Sequence, residues 1–357
     1  MIKSFGKLPS GKRLERIHKS AYFREGSFHN ISPTPMLAEG VSYPKMIVQF
    51  FSKGVNREPS QVLPAVKTDL NHLAALEPVI IWFGHSSYLI RIHGQSILVD
   101  PVFSLTPSPI QFLGKKRYEN AVNYSADDMP STIDLVILTH DHYDHLDYDT
   151  IKKLKSRVKM FYTSLGVGEH LEYWGVEKEK IVEFEWWEKR TFVHGVEIIA
   201  APSRHFSGRL FKRNQTLWSS FILKSDSYSI FIGGDSGYDA AFKTIGDKYG
   251  PFDLAILECG QYNQQWPFIH MMPEESPQAA IDLKAKAFMP VHWGKFTLSL
   301  HAWYEPIERA TRKAKELNVP VTTPQIGEPI VLNKPFPTTR WWEPIEMKLK
   351  IVRDIAN

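Results

Sequence analysis

The sequence predicts an α/β protein folded as a four-layer αβ/βα sandwich, and three observations carry that prediction. Short β-branched and aromatic runs divided by turn signals recur between residues 78 and 291. Helical patterns fall between some of these runs, so two sheets can pack face to face with helices outside. No convincing linker divides the run, and 357 residues, 43% of them hydrophobic, can fill one large core.

Residues 1–75 are irregular, with Pro9, Pro33, Pro35, Pro44, Pro59 and Pro64 scattered through them, and read as an arm that wraps the core. The domain proper is expected over 76–330, with 331–357 as a tail packed on it. Val79–Phe83, Ser87–Ile92 and Ser96–Val99 read as consecutive strands, with a hairpin turn at His93-Gly94-Gln95. Leu135–Leu138 is a fully apolar strand, after which Asp147 can cap a helix over Tyr148–Lys155. A strand at Lys159–Thr163 precedes a helix that begins near Leu165 and ends at Gly175. In the second half, Glu197–Ala201, Ser219–Lys224, Tyr228–Ile232, Asp253–Glu258 and Phe288–Val291 read as strands, and Pro277–Lys286 as a helix.

Composition narrows the chemistry. Against 14 histidines there is a single cysteine, Cys259, which excludes an intramolecular disulfide, a cysteine-rich zinc site and an iron–sulfur cluster. Any metal must therefore be held by histidine and carboxylate. A net charge of +4 does not point to nucleic acid. No signal-peptide pattern and no membrane-spanning apolar run is visible, so a cytoplasmic protein is expected. Peripheral membrane contact stays open. Lys3, Lys7, Lys12, Arg13, Arg16, Lys19 and Arg24 face only Glu15 and Glu25 in the first 25 residues. They form either a basic arm for anionic lipid or a solvated face.

The strongest signal is His140-x-His142-x-Asp144-His145, placed directly after an apolar strand. Imidazole and carboxylate suit zinc, iron or manganese, and such a cluster is costly to bury without cations. His205, Asp235 and His292 follow later strands. Together these residues make seven ligands, enough for two metals about 3.5–4 Å apart with one shared carboxylate. Gly233-Gly234 would let backbone approach a metal or substrate.

These residues resemble the metallo-β-lactamase superfamily, whose ligand order (H-x-H-x-D-H, then H, D, H) is matched in full. Within it the chain resembles the branch of N-acyl-phosphatidylethanolamine-hydrolysing phospholipase D. The carrying stretches are Trp82-Phe-Gly-His-Ser-Ser87, Val99-Asp-Pro-Val-Phe103, Gly233-Gly-Asp-Ser-Gly237, His270-Met-Met-Pro-Glu-Glu275 and His292-Trp-Gly-Lys-Phe-Thr297. The resemblance implies two Zn2+ per chain. His140, His142 and His205 would hold one, Asp144, His145 and His292 the other, and Asp235 would bridge them. It implies a metal-bridging hydroxide as nucleophile and a phosphodiester of a phospholipid as substrate. Asp144, Asp235 and His270 would form the catalytic set, with His270 binding phosphate or donating a proton. Oxygen-reducing di-iron relatives carry glutamate where His142 stands, which favours hydrolysis.

Around this set, His85 and Asp100 are candidates for orienting metal ligands, and Arg204, Arg209, Lys212 and Arg213 either hold a phosphate or form a solvated loop face. Lys295 stands where a small polar residue is expected and could alter substrate choice. Trp186-Trp187, Trp266 and Trp341-Trp342 form either a lip at a lipid interface or packing against the arm. The rival reading is hydrolysis of a small phosphorylated metabolite or lactone, as in ascorbate-6-phosphate lactonase-like proteins. A metal-stabilised sensor or scaffold is the non-enzymatic alternative.

Overall fold

The computed structural model describes residues 2–42, 44, 46, 48–49, 56–73, 77–118, 124–193, 195–209 and 212–345. The end of the expected tail, 346–357, and parts of the expected arm lie outside the described residues. Helix α1 (Gly11–His18) and a short ribbon, β1 (Phe23–Arg24) and β2 (Ser27–Phe28), belong to the arm. Then follow β3 (Val79–Trp82), β4 (Tyr88–Ile92), β5 (Gln95–Val99), β6 (Ile133–Leu138), α2 (Tyr148–Leu154), β7 (Val158–Ser164), α3 (Gly168–Tyr173) and β8 (Ile181–Phe184). The second half contains β9 (Lys189–Thr191), β10 (Glu197–Ala201), β11 (Ser220–Lys224), β12 (Ser229–Ile232), α4 (Ala241–Tyr249) and β13 (Leu254–Glu258). It closes with α5 (Glu275–Asp282), β14 (Phe288–Val291), α6 (Glu305–Glu316) and β15 (Pro329–Val331).

Two sheets form: seven strands in the order β15-β3-β4-β5-β6-β7-β8, and six in the order β14-β13-β12-β11-β10-β9. Each mixes antiparallel and parallel pairing. β5 to β8 run parallel, as do β12 to β14. β6 is buried along its whole length, as a parallel strand covered on both faces must be.

Alternation along the second sheet decides its two faces. Phe221, Leu223, Ile230, Ile232, Leu254 and Ile256 join the core shared with the first sheet. Their neighbours Ile222, Phe231, Ala255 and Leu257 pack outward with Phe242 and Ile245 of α4 and Ala279 and Ala280 of α5. Ile151 and Leu154 of α2 and Leu171 of α3 belong to the first sheet's core. The four-layer αβ/βα expectation is met.

Local chemistry sets several boundaries. Asp147 caps α2 as expected, its carboxylate accepting from the Asp149 amide. The helix expected over 277–286 starts two residues earlier and ends at Asp282. Lys284, with φ of 58°, is left-handed and cannot continue it. The core takes in Trp293, Trp303, Trp341 and Trp342. No helix among the described residues is long and apolar enough to cross a membrane.

Candidate metal centre

The site lies where strand ends from both sheets meet. His140, His142, Asp144 and His145 leave the end of β6; His205 follows β10, Asp235 follows β12, and His292 follows β14. The structure brings all seven together. His140 Nε2 lies 2.9 Å from His142 Nδ1, and His205 Nε2 lies 3.2 Å from the same atom. Asp235 Oδ2 is 3.8 Å from His140 Nε2 and 3.7 Å from His205 Nε2. The same oxygen lies 3.2 Å from His145 Nε2 and 3.4 Å from His292 Nε2. Asp144 Oδ2 stands 3.4 Å from His292 Nε2 and 3.6 Å from His145 Nε2. Asp235 thus sits between two donor sets.

These donors fit metal ions. The donor atoms of His140, His142, His205 and Asp235 all lie within 4.8 Å of one another, as do those of His85, Asp144, His145 and His292. His145 Nε2 and Asp235 Oδ1 are buried with no hydrogen-bond partner, a costly arrangement unless a cation completes it. Burial, reinforced by neighbouring imidazoles, holds His140 and His205 well below their ordinary pKa, so they stay neutral with a free lone pair. Burial opposes charge on His145 and His292, yet Asp235 and Asp144 outweigh it and lift His292 to about 10. Burial would raise Asp235 and Asp144, but His145 holds both well below the carboxylate range. Metal binding at this site therefore displaces protons.

The opposite nitrogen of several of these rings is held by an acceptor, which fixes ring orientation. His145 Nδ1 lies 2.8 Å from Asp100 Oδ2, and Asp100 also accepts from the Thr139 amide and hydroxyl. His205 Nδ1 donates to the Ile269 carbonyl at 2.7 Å. His85 Nε2 is 3.0 Å from Asp144 Oδ2, within reach to orient that carboxylate. His85, Asp100, Gln261 and His292 all have φ between 40° and 67°. Such left-handed conformations are costly in non-glycine residues and cluster at sites the surrounding fold over-determines.

Sequence reasoning passed over Glu258. Fully buried at the end of β13, its Oε2 lies 2.7 Å from His270 Nδ1 and 3.3 Å from His292 Nδ1. Its place at a strand end, before Cys259-Gly260, is the signal that could have found it. Asp141, inside the motif, turns away from the donors: its carboxylate accepts from the Gly208 amide and the Thr216 hydroxyl and lies 3.3 Å from His170.

Several expectations are corrected. Arg209 is buried and donates to the carbonyls of Asp141, Leu146 and Ser4, so it braces the loop and is not free for a phosphate. Arg204 is spent on the carbonyls of Pro33 and Tyr238. Lys212 and Arg213 are exposed, and Arg213 lines the pocket above the donors. Lys295 is buried and donates to the carbonyls of Phe83 and Val102, so it cannot select substrate by contact. A Cβ on Gly233 would meet the Ile256 carbonyl at 2.6 Å and one on Gly234 the Thr139 Cβ at 3.0 Å, so both glycines let neighbouring segments approach closely. Trp186 packs with Tyr22 of the arm, whereas Trp341 stacks on Trp293 in the core; neither forms a lip. Trp266 alone of the five lines the pocket. In the arm, Arg13 pairs with Glu169, Glu172 and Glu183, and Arg16 with Glu188, so these charges are already matched within the chain.

The chain is similar to several known proteins. The family model described as a beta-lactamase superfamily domain matches residues 95–293. An uncharacterized protein of Mycobacterium tuberculosis (strain ATCC 25618 / H37Rv) is 37% identical over 330 residues, covering 91% of this chain and 88% of that protein. The N-acyl-phosphatidylethanolamine-hydrolyzing phospholipase D 1 of Caenorhabditis elegans is 32% identical over 251 residues, 66% of this chain and 68% of that one. Among solved structures, a possible metal-dependent hydrolase from Veillonella parvula superposes with a TM-score of 0.57 at 17% identity, over 72% of this chain and all of that chain, a likeness of fold alone. The chain belongs to the β-lactamase superfamily.

Proposed function

We propose that the protein is a dinuclear zinc phosphodiesterase that cleaves N-acyl-phosphatidylethanolamine-type phospholipids. One observation carries the reading: two sets of buried donors share Asp235 on the floor of a pocket whose walls are apolar. That pocket holds about 250 Å³ and is lined by His142, Asp144, His270 and His292 below and by Met36, Leu37, Met46 and Trp266 above. A phosphate could reach the donors while acyl carbons rest on the walls. The C. elegans relative supports this substrate class by its name. A cytoplasmic protein in peripheral contact with its lipid goes with the reading.

His140, His142 and His205 would hold one zinc, and Asp144, His145 and His292 the other, with Asp235 between. When bound, such ions supply Lewis-acid polarisation and lower the pKa of a water to about 7. The chain's own residues do the rest. Glu258 accepts from His270 Nδ1 and turns His270 Nε2 to the substrate, where it can hold a proton for the departing alkoxide. Arg213 at the rim offers its guanidinium to the phosphate. The methionines and Trp266 exclude water from the acyl side.

A pocket of this size lies below the usual range for drug-sized ligands, which favours a second reading, hydrolysis of a small phosphorylated metabolite or lactone. Turnover of vesicle-bound N-acyl-phosphatidylethanolamine is compared with that of soluble phosphodiesters, with metal content measured on the same sample. Equal rates on short soluble and membrane-bound substrates would count against the phospholipase. Fewer than about one transition metal per chain, with activity unchanged in chelator, would overturn the dinuclear site.

A further inference from the structure

Nine large apolar side chains are exposed among the described residues, and five of them cluster around one loop, 104–117. Leu105, Phe112 and Leu113 belong to the loop, and Phe112 is 86% exposed. Val62 faces Leu105 across a cavity that both line. Ile2 stands two residues before Ser4, whose hydroxyl donates to the Pro109 carbonyl. A gathering of this kind on a water-soluble surface marks an interaction site.

The loop is built to present its tip. Its ends are closed by the Arg117 amide donating to the Leu105 carbonyl at 2.8 Å and by the Arg117 guanidinium on the Phe103 carbonyl. Inside, the Gln111 amide nitrogen donates to the carbonyls of Thr106 and Ser108, and Leu113 N donates to the Ile110 carbonyl. Phe112 and Leu113 are therefore held outward by a closed frame. Beside them Lys115 and Lys116 are both exposed. Lys115 approaches Glu58 at 3.4 Å, while Lys116 and Lys3 form no ion pair among the described residues. Pro107 of the same loop lines the mouth of the metal centre with His142, Asp144 and Arg213.

We propose that loop 104–117 docks the protein on an anionic bilayer. Phe112 and Leu113 enter the headgroup–acyl boundary, and Lys115 and Lys116 meet the lipid phosphates. A protruding apolar tip flanked by lysines suits a surface that yields to insertion, and the positive flank selects anionic lipid. The inference deepens the phospholipid reading, because Pro107 ties the docked loop to the pocket mouth, but binding does not require turnover.

Co-sedimentation of the full chain with vesicles of phosphatidylcholine, and of phosphatidylcholine with about a third phosphatidylglycerol, tests it, since each lysine at an anionic surface strengthens partitioning about fivefold. The chain is expected to sediment with the anionic vesicles only, and less as salt is raised. Lys115→Ala/Lys116→Ala and Phe112→Ser/Leu113→Ser should each lower partitioning at least about tenfold, with unchanged melting temperature and unchanged turnover of a soluble phosphodiester. Binding lost while soluble turnover persists supports the docking surface; binding retained without lipid turnover sinks the phospholipase reading instead. Wild-type protein that stays in the supernatant, variants that sediment like wild type, or self-association that Phe112→Ser/Leu113→Ser abolishes would each overturn the proposal.

Discussion

Asp235 and Lys295 show how differently a buried charge can be used. The Asp235 carboxylate lies within 4 Å of four imidazoles, two from each donor set. Asp235→Asn keeps the volume and removes the charge. It is expected to lower metal stoichiometry and cut turnover more than about a hundredfold while circular dichroism stays native. Lys295 forms no ion pair with a carboxylate among the described residues, and burial, with Arg117 adding to it, brings its ammonium down to about 7 from 10.5. Between those values the unfolded chain holds a proton that the folded chain does not. The Lys295 contribution to stability therefore rises with pH through this window, by up to about 1.4 kcal/mol per pH unit, whereas His292, lifted to about 10, contributes the opposite slope. In denaturant unfolding from pH 7.5 to 9.5, the stability of wild type minus that of Lys295→Met should rise with pH, the His292 contribution being common to both. An identical slope in both would refute the assignment.

At the scale of elements, the arm is a brace for the metal-binding loop. The Lys7 amide donates to His170 Nδ1, leaving His170 Nε2 to approach Asp141, which lies between His140 and His142 in the chain. Arg209 ties the Ser4 carbonyl to those of Asp141 and Leu146, at either end of the same loop. The fit at Gly6 is tight, since a Cβ there would meet His170 Nδ1 at 2.2 Å. Gly6→Val should release the arm and weaken zinc affinity about 10–100-fold in chelator competition. Arg209→Met strands three buried carbonyls and should cost about 3 kcal/mol or more in denaturant unfolding. An unchanged zinc affinity in Gly6→Val would show that the arm only packs.

For the whole molecule, metal binding at this site is expected to be coupled to the stability of the two-sheet core. Donors from the ends of β6, β10, β12 and β14 converge only when both sheets are folded and packed, so the unfolded chain has no such site. Zinc should then stabilise the fold by about 4 kcal/mol at a thousand times its Kd, seen as a melting temperature that climbs with free zinc and falls in chelator. A melting temperature indifferent to zinc would place the donors outside the cooperative unit.

The sequence by itself determined the donor set and the layers. A local motif after an apolar strand, and alternating runs whose ends carry His205, Asp235 and His292, are properties of neighbouring residues and remain legible without coordinates. Partners far apart in the chain were decided only by tertiary structure. Glu258 reads as one more strand residue until His270 folds over it. Arg209 and Lys295 read as substrate contacts until packing turns them onto carbonyls. The tryptophan pairs and the basic arm left membrane contact open beside packing and a solvated face, and the fold decides: Trp342 is buried in the core and Arg13 is paired with three glutamates. Composition records which charges and rings exist, whereas burial and pairing depend on what the fold brings beside them.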